Sequence, residues 1–173
     1  MKKIVIIGPE STGKSTLCED LANHFQCGFV REYARDYLEE FGAKYSYEHV
    51  LNMSAGQAQL EDSFISVNRD LHFAFIDTNQ YVYKVWIEDK FGKVEPQVES
   101  LIKFGNYDYY FLCDIDLPWE FDELREDPNE TVRQRLFDRY KELLEADGTP
   151  FSILKGNREE RLSKAIDVLN RLK

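Results

Sequence analysis

The residues with the clearest chemical signature occupy positions 8–15, whose sequence GPESTGKS fits the pattern G-x-x-x-x-G-K-[ST]. The two glycines permit backbone conformations and a close approach that a Cβ would prevent, so successive N–H groups can surround a phosphate. Lys14 would then reach the β- and γ-phosphates of a nucleotide, and the Ser15 hydroxyl would ligate Mg²⁺. The pattern predicts a phosphate-binding loop (P-loop) for ATP and Mg²⁺.

We expect the whole loop to contact ATP, and the residue after it to lie beside the α-phosphate. The nucleotide-binding residues predicted in this way are Gly8, Glu10, Ser11, Thr12, Gly13, Lys14, Ser15 and Thr16. The alternative is a glycine turn that only joins a strand to a helix.

Asp77 directly follows the apolar run at 73–76, FAFI. Ligands of parallel sheets bind beyond the carboxyl ends of the strands, so an acid at this point faces the P-loop edge. We expect Asp77 to act in catalysis, holding Mg²⁺ together with Ser15, either directly or through water. The alternative is a helix N-cap for a helix that begins near Asn79.

The segment at 31–36, REYARD, follows a short predicted strand and lies across from the P-loop. We expect Glu32 to orient an attacking hydroxyl and accept its proton, because in phosphoryl transfer a carboxylate mainly orients the nucleophile. Arg35 would clamp a phosphate or a substrate oxygen, and Arg31 and Tyr33 would line the same substrate site. The alternative is a set of surface salt bridges at a helix end.

Gln57 interrupts the apolar stripe of a long predicted helix over 46–71. A polar residue on an otherwise apolar face has either a ligand or a buried hydrogen-bond partner. We expect Gln57 to contact the substrate, and a hydrogen-bonded core glutamine is the alternative.

The segment at 114–130 is irregular and acidic, with eight carboxylates around a single cation, Arg125. A mobile arginine that covers the γ-phosphate neutralises charge as the phosphoryl group moves. We therefore predict a lid over 114–130 in which Arg125 is catalytic. Arg133, in the helix that follows, is a further predicted contact for the nucleotide, and a loop arginine solvated among acids is the alternative for Arg125.

Strand and helix patterns alternate along the whole chain and would position these residues at one edge of a sheet. The predicted strands cover 4–7, 28–31, 72–77, 107–113 and 151–154. Apolar strands separated by helices indicate an α/β fold, with a five-stranded parallel sheet and helices on both faces in three layers. The sequence thus predicts one P-loop kinase domain over 1–173.

Composition restricts the partners. The 173 residues are 43% hydrophobic and carry a formal net charge of −10, which disfavours nucleic acid and anionic membranes as partners. The initial apolar run is only four residues long, too short for a signal peptide. Three scattered cysteines suit a reducing compartment, so we expect a cytoplasmic protein. We expect the exterior to be acidic around one small basic pocket, and a homo-oligomer is possible.

Other P-loop classes fit less well. The chain has no Asn-Lys-x-Asp motif for reading guanine, and it is short for an oligomeric AAA-type motor with a helical lid domain. A small kinase needs an acceptor site after the second strand and an arginine-bearing lid. The sequence offers both, with a small-molecule nucleoside as the expected acceptor.

Four blocks of sequence in fixed order resemble the ribosylnicotinamide kinase domain of NadR-like proteins. They are the P-loop, EYARDY at 32–37, FIDT at 75–78 and Leu124-Arg125. The resemblance implies ATP-dependent phosphorylation of the 5′-hydroxyl of nicotinamide riboside, which gives nicotinamide mononucleotide. It also implies that Lys14, Ser15, Asp77 and Arg125 act on phosphate and Mg²⁺, with Glu32 and Arg35 on the substrate side.

The chain departs from this family at Arg31 and Leu60, where its relatives carry aromatic residues that stack on the substrate. Arg31 would suit an anionic acceptor, so a kinase for another nucleoside or a nucleoside monophosphate is a second hypothesis. A third is a nucleotide-binding switch without metabolic turnover. The sequence carries no clear motif that chooses between ATP and GTP.

Overall fold

The computed structural model describes residues 1–172 and contains the predicted five-stranded parallel sheet. The strands are β1 (Lys2–Ile7), β2 (Phe29–Val30), β3 (Phe73–Asp77), β4 (Tyr109–Cys113) and β5 (Phe151–Leu154). The helices are α1 (Lys14–His24), α2 (Tyr33–Phe41), α3 (Tyr47–Val67), α4 (Gln80–Phe91), α5 (Pro96–Gly105), α6 (Glu130–Asp147) and α7 (Arg158–Leu172). This is the predicted α/β fold.

The order of strands in the sheet is β2-β3-β1-β4-β5, which puts β1 at its centre. Ile6 of β1 is in register with Asp77 of β3 on one side and with Phe111 of β4 on the other. The carboxyl ends of these three strands therefore meet, and the P-loop that follows β1 lies between the other two ends.

Alternate residues of the buried part of the central strand, 4–7, face opposite helical layers, which is why this run reads as continuously apolar. Ile4 and Ile6 belong to one cluster with α1 and α7, and Val5 and Ile7 belong to another with α4 and α6. A third cluster joins α2, α3, α4 and α5. The predicted three-layer arrangement is confirmed.

Several predicted boundaries shift by a few residues, among them those of β2 and α3. The edge strand β2 is only Phe29–Val30, because pairing to β3 extends over those two residues alone. The long helix α3 ends at Val67, where the Asn68 side chain donates to the Phe64 carbonyl at 2.8 Å. Between residues 1 and 172, no helix combines the length and the apolar character that crossing a bilayer requires.

Candidate active site

The P-loop joins β1 to α1 through backbone conformations that favour glycine. Gly8 has φ 149°, and a Cβ there would lie 2.7 Å from the Cys113 carbonyl oxygen. Gly13 has φ 75° and caps α1, and Ser11 also has a positive φ of 58°. The Thr12 hydroxyl donates to the Pro9 carbonyl at 2.7 Å and closes the turn. The loop thus has the shape that its glycine spacing predicts.

Lys14 lies in the first turn of α1, and its Nζ donates to the Pro9 carbonyl at 3.0 Å. The ammonium therefore folds back over the loop, on the side where a bound phosphate would accept its protons. Ser15 and Thr16 follow on the same turn of α1, and both line a cavity beside the loop.

Asp77 ends β3 with its side chain 2% exposed, beside Ser15. Burial raises the pKa of Asp77, the nearby Glu32 carboxylate raises it further, and Lys14 and the Ser15 hydroxyl lower it. Its Oδ1 atom has no hydrogen-bond partner among residues 1–172. A free buried carboxylate oxygen next to a hydroxyl fits Mg²⁺, which prefers hard oxygen ligands. Asn79, and not Asp77, caps α4.

One cavity of about 400 Å³ joins the P-loop to the ends of β2 and β3, to α4, α6 and the lid. It brings together ten of the predicted residues. They are Glu10, Ser11, Thr12, Gly13, Lys14, Ser15, Thr16, Glu32, Asp77 and Arg125. Arg31 and Arg35 line it as well, at the mouth formed by the start of α2. Glu32 is close enough to Asp77 for their charges to interact.

Tyr33 and Gln57, predicted to contact the substrate, lie behind the cavity wall instead. The Tyr33 ring covers the Cα of Gly56 and packs near Tyr37. The fully buried Gln57 amide accepts from the Tyr33 N–H at 2.8 Å and donates to the Arg31 carbonyl at 3.3 Å. Because these two bonds flank Glu32, Gln57 holds the turn that carries it, which is the core-glutamine alternative.

Arg133, predicted to contact the nucleotide, does not line the cavity either. It is only 5% exposed in the first turn of α6, and its Nε and Nη1 atoms have no hydrogen-bond partner within the described chain. Gly8, which is also predicted to contact the nucleotide, is not among the residues that line the cavity. It lies against Cys113 beneath the loop.

The lid segment at 114–130 covers the P-loop and is bound there by the side chains of two P-loop residues, Glu10 and Ser11. Glu10 accepts hydrogen bonds from the Trp119 indole at 2.8 Å and from the N–H groups of Glu126 and Asp127, both at 2.9 Å. Glu10, which is predicted to contact the nucleotide, lines the cavity and also binds the lid. The partners are more than 100 residues away, so no local pattern announces them.

Arg125 lies over the P-loop as predicted. Its Nη1 atom donates to the Ser11 hydroxyl at 3.2 Å and to the Glu120 carbonyl at 2.6 Å. Ser11 also accepts from the Glu120 N–H at 2.9 Å. The lid thus presents its one guanidinium at the loop that binds phosphate.

Eight carboxylates and five cations line the cavity, so the expectation of a small basic pocket is wrong. Three of the cations are neutralised: Arg31 pairs with Asp36, Arg35 with Asp122 and Glu39, and Lys90 with Glu126 and Asp127. Lys14 and Arg125 form no ion pair within residues 1–172. The two cations predicted for phosphate are the two that remain available to it.

Several cavity residues escaped sequence analysis. Positions 82, 85, 86, 89 and 90 of α4 all face the cavity and include Trp86 and Lys90. Their spacing follows one helical face, which is the signal in the sequence that could have identified them. Tyr45 and Tyr140 also line the cavity.

A P-loop on the central strand, a strand-end acid and an arginine-bearing lid define the class of P-loop NTPases. Residues 3–161 match the family model described as an AAA domain, and the chain belongs to that family. The expectation that the chain is no oligomeric AAA-type motor stays a prediction.

The resemblance to NadR is confirmed in sequence. The chain is 30% identical over 158 residues to the trifunctional NAD biosynthesis/regulator protein NadR of Escherichia coli K12, covering 87% of this chain and 37% of that protein. It is also 30% identical over 162 residues to NadR of Salmonella typhimurium, covering 90% and 38%. The chain thus spans little more than a third of the curated relatives that it matches.

Solved structures share the fold. A crystal structure of NadR in complex with NR matches with a TM-score of 0.83 and 24% identity, covering 98% of this chain and 49% of that one. Deoxyadenosine kinase from M. mycoides matches with a TM-score of 0.66 and 16% identity, covering 98% and 99%. The predicted P-loop kinase fold is confirmed.

Proposed function

We propose that this protein is an ATP-dependent kinase that phosphorylates the 5′-hydroxyl of nicotinamide riboside to nicotinamide mononucleotide. The observation that carries the proposal is the meeting of Lys14, Asp77, Glu32 and Arg125 in one cavity at the ends of β1, β2 and β3. The similarity to NadR, crystallised with NR and with NAD and AMP-PNP, supports the choice of acceptor.

Each residue has a role that its position explains. The loop N–H groups and Lys14 bind the phosphates. Asp77 and Ser15 are the residues that would hold Mg²⁺, which would neutralise phosphate charge. The Glu32 carboxylate forms no hydrogen bond or ion pair within the described chain, so it is available to orient the 5′-hydroxyl and take its proton. Arg125 balances charge on the moving phosphoryl group, and the lid excludes water.

The lining of the cavity favours a cationic acceptor. Carboxylates outnumber cations there, and Tyr45, Trp86 and Tyr140 supply aromatic surface. Aromatic faces and acids beside the acceptor favour a pyridinium ring over an anionic group. Arg31, which motivates the anionic alternative, is 67% exposed at the mouth and paired with Asp36.

A second candidate is a kinase for another nucleoside, supported by the full-length structural match to deoxyadenosine kinase. Comparing kcat/KM for nicotinamide riboside, deoxyadenosine and deoxynucleoside monophosphates at saturating Mg-ATP decides between the candidates. The proposal requires nicotinamide riboside to be the best substrate. A preference for any monophosphate would contradict it, and slow ATP hydrolysis that no acceptor stimulates would favour the nucleotide switch.

We infer a cytoplasmic protein that acts on small molecules, without nucleic acid as a partner, and whose kinase domain covers 1–173. The free thiols of Cys18, Cys27 and Cys113 support a reducing compartment. Light scattering tests whether the protein is a homo-oligomer.

A further inference from the structure

Arg161 is a buried cation in the first turns of α7, with only 2% of its surface exposed. Its guanidinium donates to three backbone carbonyls, those of Thr12 at 2.6 Å, Gly156 at 2.8 Å and Asp114 at 3.1 Å. It also forms an ion pair with the Asp116 carboxylate. All of these partners except Gly156 lie more than 40 residues away along the chain.

The partners of Arg161 belong to three separate segments of the chain. Thr12 is in the P-loop, Asp114 and Asp116 open the lid segment after β4, and Gly156 lies in the turn between β5 and α7. The Thr12 side chain is bound to the Pro9 carbonyl as well, so this residue is fixed through both its backbone and its hydroxyl. One guanidinium therefore ties the floor of the P-loop to the stem of the lid.

Only arginine suits this position. Its planar guanidinium carries five N–H donors in a rigid fork and stays charged when buried. A lysine keeps the charge but provides a single nitrogen, which cannot meet carbonyls that lie in different directions. Asp116 balances the buried charge, and its carboxylate also accepts from the Gly156 N–H at 2.6 Å.

The lid is therefore attached to the P-loop at two places of different character. At its stem, the attachment is the buried Arg161. At its tip, the attachment consists of Glu10 and Ser11, whose hydrogen bonds to the lid are exposed or only partly buried. Water can replace the tip bonds at little cost, whereas opening the stem would leave buried carbonyls unpaired.

We propose that Arg161 is a positioning residue for phosphoryl transfer, which fixes the P-loop backbone and the lid stem so that Arg125 closes onto the γ-phosphate. The inference rests on the proposed kinase function and goes beyond it. Arg161 is not among the residues that line the cavity, and it acts through Thr12 and the lid stem.

Three variants test this role. Arg161→Lys replaces the forked guanidinium with a single ammonium group. Asp116→Asn removes the ion pair with Arg161 by changing the partner that is partially exposed, and Arg158→Gln is the control. Arg158 is on the same helix but is 66% exposed and paired with Asp20, away from the loop. We expect Arg161→Lys to raise KM for ATP and lower kcat, about 10- to 100-fold in kcat/KM, with KM for the acceptor unchanged. Asp116→Asn should act in the same direction but less, and Arg158→Gln should match the wild type.

A double variant separates positioning from stability. If Arg161 acts through Arg125, Arg125→Lys should cost less in the Arg161→Lys background than in the wild type. Thermal unfolding is measured in parallel. A lowered melting temperature, with wild-type kcat and KM in the folded fraction and additive effects of the two substitutions, would overturn the proposal.

Calorimetric titration with Mg-ATP keeps the test independent of the acceptor. Arg161→Lys and Asp116→Asn should bind Mg-ATP more weakly than Arg158→Gln does, whatever the acceptor is. Wild-type affinity in both variants would overturn the role of Arg161. If wild-type protein binds Mg-ATP but does not phosphorylate nicotinamide riboside, the proposed function fails and this result still stands. If Arg161→Lys does not fold, Asp116→Asn carries the test.

Discussion

The Glu10 carboxylate in the P-loop accepts a hydrogen bond at 2.8 Å from the indole N–H of Trp119, which lies in the lid 109 residues further along the chain. Two lid N–H groups, those of Glu126 and Asp127, bind the same carboxylate. One acidic side chain therefore accepts three hydrogen bonds from the lid tip, over the loop where the triphosphate is expected to bind.

Glu10→Ala should loosen the lid tip, because three hydrogen bonds to one carboxylate are lost together. We expect Trp119 to become more accessible to acrylamide, measured by fluorescence quenching in a Trp86→Phe background so that only Trp119 emits. Glu19→Ala on the exposed side of α1 is the control. Unchanged quenching in Glu10→Ala would show that Glu10 does not hold the lid.

Asp77→Asn should lower activity without lowering stability. Burial raises the pKa of Asp77, which means that the folded protein disfavours its charge, and a neutral amide of the same shape avoids that cost. We expect the melting temperature to stay the same or rise while kcat falls about 10²–10³-fold, since Mg²⁺ loses a charged ligand. Full activity in Asp77→Asn would contradict the assignment of the metal site.

Gln57→Leu should lower kcat although Gln57 does not line the cavity. It removes the two bonds that flank Glu32 and leaves the Tyr33 N–H and the Arg31 carbonyl without this partner, at a cost of about 1–3 kcal/mol in stability. If the role is positioning, Gln57→Leu and Glu32→Gln should be non-additive in kcat. A change confined to KM for the acceptor would instead indicate direct contact with the substrate.

Glu61 should make the protein less stable as pH rises. It is 6% exposed on α3, and burial raises its pKa from 4.5 to about 7, opposed by the Tyr107 hydroxyl bond and by Lys3, while Asp62 adds to the rise. The folded state holds the Glu61 proton more tightly than the unfolded state does. The stability that protonated Glu61 contributes to folding is therefore complete below pH 4.5 and is lost as pH rises through 7.

The loss attributable to Glu61 between pH 5 and 8 is on the order of 3 kcal/mol at most, and Glu61→Gln should remove it. Urea unfolding of both proteins across this range measures the difference. Parallel pH profiles of the wild type and Glu61→Gln would show that Glu61 does not titrate there. Asp77 contributes in the same direction in both proteins, so the comparison isolates Glu61.

Local sequence determined the parts of the site that could be predicted. The P-loop, Asp77 and Glu32 each follow a strand directly, and parallel topology brings strand ends together whatever the rest of the chain does. The start of α3 after Ser46 is equally local and lies within one residue of the start of the helix predicted over 46–71.

The residues that hold the site in place were not predictable in the same way. Glu10 reaches the lid and Arg161 reaches the P-loop through contacts that span more than 100 residues. On one sequence, a buried arginine in an amphipathic helix resembles a surface arginine, and Gln57 resembles either a ligand or a core residue. Only the packing of α3 and α7 on the loops distinguishes these possibilities.

The most direct test of the account is to incubate the purified protein with Mg-ATP and nicotinamide riboside and to quantify nicotinamide mononucleotide and ADP together. A nicotinamide riboside kinase should form both products in equimolar amounts, at the ~1–100 s⁻¹ typical of kinases, with near-complete loss in Lys14→Ala. ADP without mononucleotide, or mononucleotide at an equal rate in Lys14→Ala, would contradict the proposed function.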